Sequence, residues 1–282
     1  MNLIIQGLNA VLSQHTATVQ SIATMSAAEK IIPLKSNAVR LENVQCDASI
    51  LQSIQELCLN AQLDVYHGPS RQLNEFKLVA MDMDSTLITI ECIDEIADMQ
   101  GLKPQVAEIT EAAMRGEIEF QESLIRRVGL LKGLDASALQ KVYDQRLQLS
   151  LGAENMLKRV QQAGLKTLLV SGGFTFFTDR IKSRLNLDYS HANVLEIVDD
   201  KLTGKVVGTI VDAEEKKRTV EKVCQELGIS TRQAIVMGDG ANDLKMMGVS
   251  GLSVAFRAKP VVRAQANVAL NFVGLDGVLN LF

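Results

Sequence analysis

Asp82 and Asp84 stand two residues apart and are followed at once by Ser85 and Thr86. Like charges held that close are costly unless a cation or a proton lies between them. Two further stretches carry groups of complementary character. Ser171-Gly172-Gly173 offers a hydroxyl and unencumbered backbone N–H groups, a cradle suited to phosphate. Gly238-Asp239-Gly240-Ala241-Asn242-Asp243 contains Gly-x-Gly, but Asp239 would repel a pyrophosphate there, which disfavours a dinucleotide fingerprint. No Gly-x-x-x-x-Gly-Lys-Ser/Thr loop occurs either. Asp239 and Asp243 supply the hard oxygens that magnesium takes, its shell being completed by water and phosphate. Alone, residues 82–86 read equally as a turn of solvated aspartates, because Asp and Ser are common turn residues. The three stretches together favour chemistry.

A parallel sheet would bring them together. Each stretch closes an apolar run: Phe76–Met81, Lys166–Val170 and Ala234–Met237 are long enough for a buried strand and too short for a helix. Helical spacing marks Asn155–Gly164, Thr178–Leu185 and Lys216–Leu227, with Ser171-Gly172-Gly173 as a turn entering the second of these. Val194–Val198 and Lys205–Val211 read as a hairpin excursion, and Leu252–Ala255 and Val268–Leu270 finish the sheet. Alternating strands and helices predict a doubly wound α/β core with parallel strands. Its polar strand ends then meet along one edge, where ligands bind in such sheets. From about 90 to 153 the pattern is helical (Ile93, Ile96, Ala97; Val106, Ile109, Ala113; Leu124, Val128, Leu131), broken at Gly101, Pro104, Gly116 and Gly133. Roughly sixty helical residues are too many for a plain crossover and predict an inserted helical cap over the site.

Residues 1–72 read as a small α+β domain, with 73–282 forming the catalytic one. Leu3–Ile5 and Ala38–Val44 have strand character and Val11–Met25 helical character; Asp47 is placed to cap a helix running to Leu63. Tyr66–Arg71 is a turn-rich linker. This order resembles half of a ferredoxin-like or ACT-type module of the kind that binds amino acids. It reads equally as a dimerisation or packing domain without a ligand, so a homodimer is one expectation.

The chain of 282 residues, 47% apolar and 22% charged, has the make-up of a soluble globular protein. A net charge of −4 leaves no basic footprint for nucleic acid. No apolar run approaches a membrane span, and Met1–Gly7 lacks the positive region of a secretory signal. Cys46, Cys58, Cys92 and Cys224 are scattered, as expected of structural thiols in a reducing cytoplasm rather than of a zinc site or disulfide framework. His15, His67 and His191 lie outside every motif and are expected at the surface or its boundary.

Four ordered motifs resemble the haloacid dehalogenase superfamily, most closely its branch acting on phosphoserine. They are Asp82-x-Asp84-Ser85-Thr86, Ser171-Gly172-Gly173, Lys216 within Asp212-Ala-Glu-Glu-Lys216, and Gly238–Asp243; Ile90–Ala97 matches a substrate-side stretch. The resemblance covers about residues 74–282. It implies Mg2+-dependent hydrolysis of L-phosphoserine, the last step of serine synthesis, with Mg2+ held by Asp82, the Asp84 carbonyl, Asp239 and Asp243. Asp82 is implied as nucleophile, Asp84 as acid–base, and Ser171, Gly172, Lys216 and Asn242 on the phosphate. Glu91 is implied against the substrate ammonium and Arg127 against its carboxylate, with Met114 and Phe120 shielding the pocket. Without the resemblance, Lys216 opens a basic run that is more often solvated, Glu91 is a first-turn helix acid and Arg127 part of a solvated face. Another small monoester, or transfer of the phosphoryl group to a different acceptor, is the alternative chemistry.

Overall fold

The structure of the protein, a computed structural model, describes residues 1–115 and 117–282, and of Met114 the backbone alone. The helix break expected at Gly116 therefore lies outside the described residues.

The N-terminal stretch builds a complete βαββαβ unit where the sequence suggested half of one. Its elements are β1 (Asn2–Gln6), α1 (Val11–Gln14), α2 (Thr16–Met25), β2 (Lys30–Lys35), β3 (Ala38–Glu42), α3 (Ala48–Asn60) and β4 (Asp64–Gly68). The sheet order β2-β3-β1-β4, antiparallel throughout, is the ferredoxin-like arrangement. β2 has no strand signature in the sequence because Pro33 argues against one; it lies at the sheet edge, where proline is tolerated, with a register shift beside it. β4 hides behind polar and glycine residues, so the expected linker from Tyr66 begins inside a strand. The helix expected over Val11–Met25 is broken at His15 into two. Asp47 caps α3 as expected, its carboxylate accepting from Ile50 N at 2.9 Å.

The second sheet has seven strands and carries the catalytic motifs. β5 (Leu78–Met81) leads to four helices: α4 (Cys92–Asp98), α5 (Lys103–Met114), α6 (Phe120–Gly129) and α7 (Ser137–Gln145). The chain returns through α8 (Ala153–Gln162), β6 (Lys166–Phe174), α9 (Thr175–Leu185), β7 (Tyr189–Val198) and β8 (Lys201–Val207). It ends with α10 (Ala213–Glu226), β9 (Ala234–Gly238), α11 (Leu244–Val249), β10 (Leu252–Phe256), a short helix at Pro260–Arg263, and β11 (Val268–Leu270). The order is β11-β10-β9-β5-β6-β7-β8, parallel except for β8. β5 is buried on both faces, which explains its unbroken apolar run. The chain goes from β5 to β6 on one side and later to β9 on the other, so a topological switch point opens at the carboxyl end of β5.

Two expectations change here. β6 does not turn at Ser171 but continues as strand to Phe174, through a register shift against β7 between Val170 and Phe174, and α9 starts at Thr175. The expected hairpin forms, Val194–Val198 pairing antiparallel with β8 beyond the parallel ladder that joins β7 to β6, but its second strand is Lys201–Val207 rather than Lys205–Val211.

The helical insertion leaves and re-enters through a narrow neck. Thr89 N donates to Gln148 O at 3.0 Å and Ser150 N to Leu87 O at 2.9 Å. It also rests on β8, where a side chain at Gly204 would lie 2.9 Å from Lys132 Cβ.

The N-terminal unit is fastened to the far end of the second sheet. Asp64 on β4, 2% exposed, accepts from Asn271 N, Phe272 N and Val273 N at 2.7, 3.0 and 3.0 Å. Asn280 Nδ2 donates to Gln6 Oε1 at 2.7 Å in the buried interior, and Ile4 and Tyr66 join the apolar cluster of Phe76 and Leu281. Asp64→Ala leaves three backbone donors without an acceptor and is expected to lower the unfolding free energy by about 2–4 kcal/mol. Urea denaturation checks this; a loss below about 0.5 kcal/mol, the size of a surface substitution, would remove Asp64 from the joint.

Candidate active site

Where β5 ends, the chain stays extended for one more residue and then coils tightly. Asp82 keeps strand-like angles (φ −70°, ψ 160°), and Ser85 takes the left-handed region at φ 54°. Ile88 N reaches back to Met83 O at 3.0 Å, closing the coil. The two aspartates therefore part. Asp82 Oδ1 accepts from Met83 N at 2.7 Å and meets Lys216 Nζ at 2.8 Å. Asp84 Oδ1 accepts from Cys92 N at 2.9 Å, and Ser171 Oγ lies 3.4 Å from its Oδ2.

The turn after β9 closes the site from the other side. Asp243 Oδ2 accepts from Asp239 N and Gly240 N at 3.1 and 3.0 Å, while its Oδ1 takes Lys216 Nζ at 2.7 Å. A Cβ on Gly238 would strike this carboxylate, so the turn needs glycine there. Asp239 Oδ1 accepts from Thr86 Oγ1 at 3.1 Å. Carboxylate oxygens of Asp82, Asp239 and Asp243 all lie within 4.8 Å of one another. This donor set fits a hard divalent cation. Asp243 is already engaged on both oxygens; Asp82 and Asp239 have the freer ones.

Helix geometry selects Lys216 from its basic run. Asp212 caps α10, so position 216 falls on the inward face and is 0% exposed. Lys217 pairs outward with Glu214 and Glu221, and Arg218 projects to solvent. The solvated reading holds for those two and fails for Lys216.

The remaining sequence candidates lie around this centre. Glu91, just before α4, accepts from Ser85 Oγ at 2.7 Å and is exposed toward solvent. Phe120 opens α6, and its ring edge would be 3.1 Å from a Cβ on Gly172, which sits beside Ser171 on β6. Arg127, half-buried on α6, has its Nε 3.4 Å from Ser123 O and lies within Coulombic reach of Asp94, Glu91 and Asp84. Asn242 folds its side chain back against Gly240 in the turn after β9. The Met114 side chain lies outside the described residues. Three contributors were not assigned from the sequence: Thr86 on Asp239, the Cys92 N–H on Asp84, and Asn193, a polar residue in a buried strand. Thr86 sat inside a recognised motif, and Asn193 was visible as the one amide between Ala192 and Val194.

Crowded carboxylates resist ionisation. Burial and then the Asp243 charge push Asp82 up, against the pull of Lys216. Burial also raises Asp84, opposed by the Cys92 N–H. Asp239 rises to about 6 through burial and the Asp243 charge. Burial would lower Lys216, but Asp243 and Asp82 outweigh it and hold the ammonium protonated. At Glu91, surrounding protein and the Asp84 charge raise the pKa to about 8, although its exposure lets water screen part of that.

The haloacid dehalogenase-like hydrolase family matches residues 76–251, which span all four motifs. The chain belongs to this family. A curated relative, the phosphoserine phosphatase of Polaromonas sp. (strain JS666), is 58% identical over 218 residues, 76% of this chain and 92% of that protein. A HAD-family hydrolase from Salmonella enterica serovar Typhi superposes with TM-score 0.88 at 35% identity, covering 100% of this chain and 98% of that one. A probable phosphoserine phosphatase from Vibrio cholerae gives TM-score 0.82 at 34% identity, covering 99% and 85%. As a HAD-like hydrolase, the chain takes a small-molecule substrate and uses a metal ion, for which Asp82, Asp239 and Asp243 offer a suitable group of carboxylates.

The raised carboxylates make a signed prediction for the metal-free protein. A raised acid pKa means that the folded state holds its proton more tightly than the unfolded chain. For Asp239 the proton is lost from the unfolded chain near pH 4 and from the folded one near pH 6, so stability should fall as pH rises across about 4–6. A divalent cation takes the proton's place, so its stabilising effect should grow over the same window. Thermal unfolding with and without excess cation from pH 4 to 7.5 reads this; a pH-independent gain would contradict it.

Proposed function

We propose that the chain hydrolyses L-phosphoserine to L-serine and phosphate, with Mg2+ in the acidic cluster and a phosphoryl group passing through Asp82. The observation that carries this reading is the convergence, at one strand end, of a buried carboxylate, an ammonium 2.8 Å from it and a second carboxylate within reach of the Ser171 hydroxyl. Mg2+, bound by Asp82, Asp239 and the Asp84 carbonyl with Asp243 behind, would neutralise charge on the phosphate and the carboxylates together.

The chain's own residues supply the rest. A phosphate monoester repels a carboxylate by about 4 kcal/mol per pair of unit charges at 4 Å, at an effective dielectric of 20. Lys216 and the Ser171 hydroxyl stabilise the phosphoryl oxygens against this, with Gly172 and Asn242 flanking them. An Asp82 carboxylate oxygen attacks phosphorus, a new P–O bond forms, and the bond to the seryl oxygen breaks. Asp84, whose carboxyl pKa is pushed upward by burial, passes a proton to the departing oxygen and releases serine. It then takes a proton from the water that attacks the aspartyl-phosphate, which regenerates the Asp82 carboxylate and frees phosphate.

Recognition of the seryl part falls to the insertion. Arg127 offers a fork that matches a carboxylate. Among the described residues Glu91 has no cationic hydrogen-bond partner, and a bound ammonium would lower its raised pKa. Phe120 screens the pocket beside Gly172. Residues 1–72 read as a separate domain and 73–282 as the catalytic one with its cap at about 90–153. A cytoplasmic setting belongs to the same reading.

Phosphate release from phosphoserine, lost on chelation and restored by Mg2+, tests the reading. Asp82→Asn should abolish turnover without unfolding the protein and leave no phosphoryl adduct; an adduct on that variant would contradict the assignment. Arg127→Ala should raise KM for phosphoserine by tenfold or more, on the order of one lost charged hydrogen bond, with a much smaller change for an aryl phosphate. Equal changes for both substrates would take Arg127 out of carboxylate recognition.

A further inference from the structure

The register shift that delivers Ser171 to the site leaves a gap in the sheet, and one side chain occupies it. β6 and β7 pair as far as Val170 with His191 and resume at Phe174 with Asn193. Over the residues between, the β6 backbone has left its ladder with β7. Asn193 is 1% exposed, and its Nδ2 donates to Gly172 O at 2.7 Å. Its Oδ1 accepts from Val211 N at 2.8 Å. A carbonyl on one side and an N–H on the other leave the amide only one orientation.

Both partners belong to segments that serve the phosphate side of the pocket. Gly172 follows Ser171, whose Oγ accepts from Gly173 N at 2.8 Å and faces Asp84. Val211 precedes Asp212, the cap of α10, whose carboxylate accepts from Glu214 N and Glu215 N, both at 3.0 Å. The Asp212 carbonyl accepts from Lys216 N at 2.9 Å. Two backbone segments far apart in sequence are therefore keyed to one amide. Neither a hydrocarbon nor a charged side chain of this size satisfies both.

We propose that Asn193 is a positioning residue that sets the spacing between the Ser171–Gly172 backbone and the first turn of α10, and so between Ser171 and Lys216. It acts through those groups and does not touch the substrate. This rests on the phosphomonoesterase reading above and deepens it. A purely structural asparagine would affect how much protein folds; a positioning one affects how well the folded protein handles every phosphate ester.

The test compares the full chain with Asn193→Ala and with Asn193→Asp. The aspartate keeps the shape and the acceptor for Val211 but sets an oxygen against Gly172 O, and it carries the comparison if the alanine variant does not fold. Per folded molecule, kcat/KM should drop about tenfold or more, by a similar factor for phosphoserine and for an aryl phosphate, since the phosphate pocket is common to both. Amide hydrogen exchange should quicken together at Gly172–Gly173 and Val211–Glu215, with β9 unchanged. A kcat/KM within about twofold of the parent would overturn the proposal, as would a loss confined to phosphoserine or faster exchange in only one segment. Inactivity of the unaltered chain would instead defeat the functional reading, leaving the exchange data to judge Asn193.

Discussion

Lys216 Nζ lies between Asp82 and Asp243 at 2.8 and 2.7 Å, with no solvent exposure on the lysine or on Asp243. An ammonium taken out of water is expensive, and so is each carboxylate. Here the three are tolerable only together, and even so a surplus of negative charge remains once Asp239 is counted. That surplus is what a cation or a phosphate-bound metal answers. Each member comes from a different part of the chain: Asp82 from the end of β5, Lys216 from the first turn of α10, and Asp243 from the turn after β9. The parallel order β9-β5-β6 brings those parts to one place. The sheet topology is in this sense the device that assembles one buried ion triplet.

Much of this was legible because strongly apolar runs ended on polar, glycine-rich groups. β5, β6, β9, β10 and β11 are central or covered strands, and their composition announces them. What stayed hidden was governed by contacts distant in sequence. β2 carries Pro33 and an edge position, so nothing local distinguishes it from a loop. Ser171-Gly172-Gly173 looks like a turn because glycine usually marks one. In the structure the glycines serve close approach: a Cβ on Gly173 would lie 2.6 Å from Asp84 Oδ2. Lys216 shows the limit of local reading most clearly. Its run with Lys217 and Arg218 looks solvated, and only the phase of α10, set by the Asp212 cap, turns the first of the three inward. The hydrogen bond from the Cys92 N–H carries no sequence pattern, since backbone donors are everywhere.

The N-terminal unit stands outside the chemistry yet is not loosely tethered. The match to the Polaromonas relative covers 92% of that protein and 76% of this chain, so about a quarter of this chain lies outside it. Even so, Asp64 gathers three consecutive backbone N–H groups just beyond β11, and the Gln6–Asn280 pair is sealed from water. Buried polar contacts of this kind fix one docking geometry, because any slip leaves donors unpaired. The ferredoxin-like unit is thus held in register with the end of the sheet opposite the insertion, on the β11 side of the strand order.

In the proposed reaction chemistry and recognition fall to different pieces, and Asp84 is where they touch. Its carboxylate is held on one side by Cys92 N, the first residue of the insertion's first helix, and faces Ser171 of β6 on the other. The N–H favours the ionised form and burial the protonated one, so the two oppose each other on the same group. One residue earlier, Glu91 is tied to Ser85 of the catalytic coil. A shift of α4 therefore moves Glu91 and changes the support of Asp84 at once. In the proposed reaction Asp84 both gives and takes a proton and needs such a balance; the neck of the insertion at Leu87–Thr89 and Gln148–Ser150 holds α4 beside the strand end.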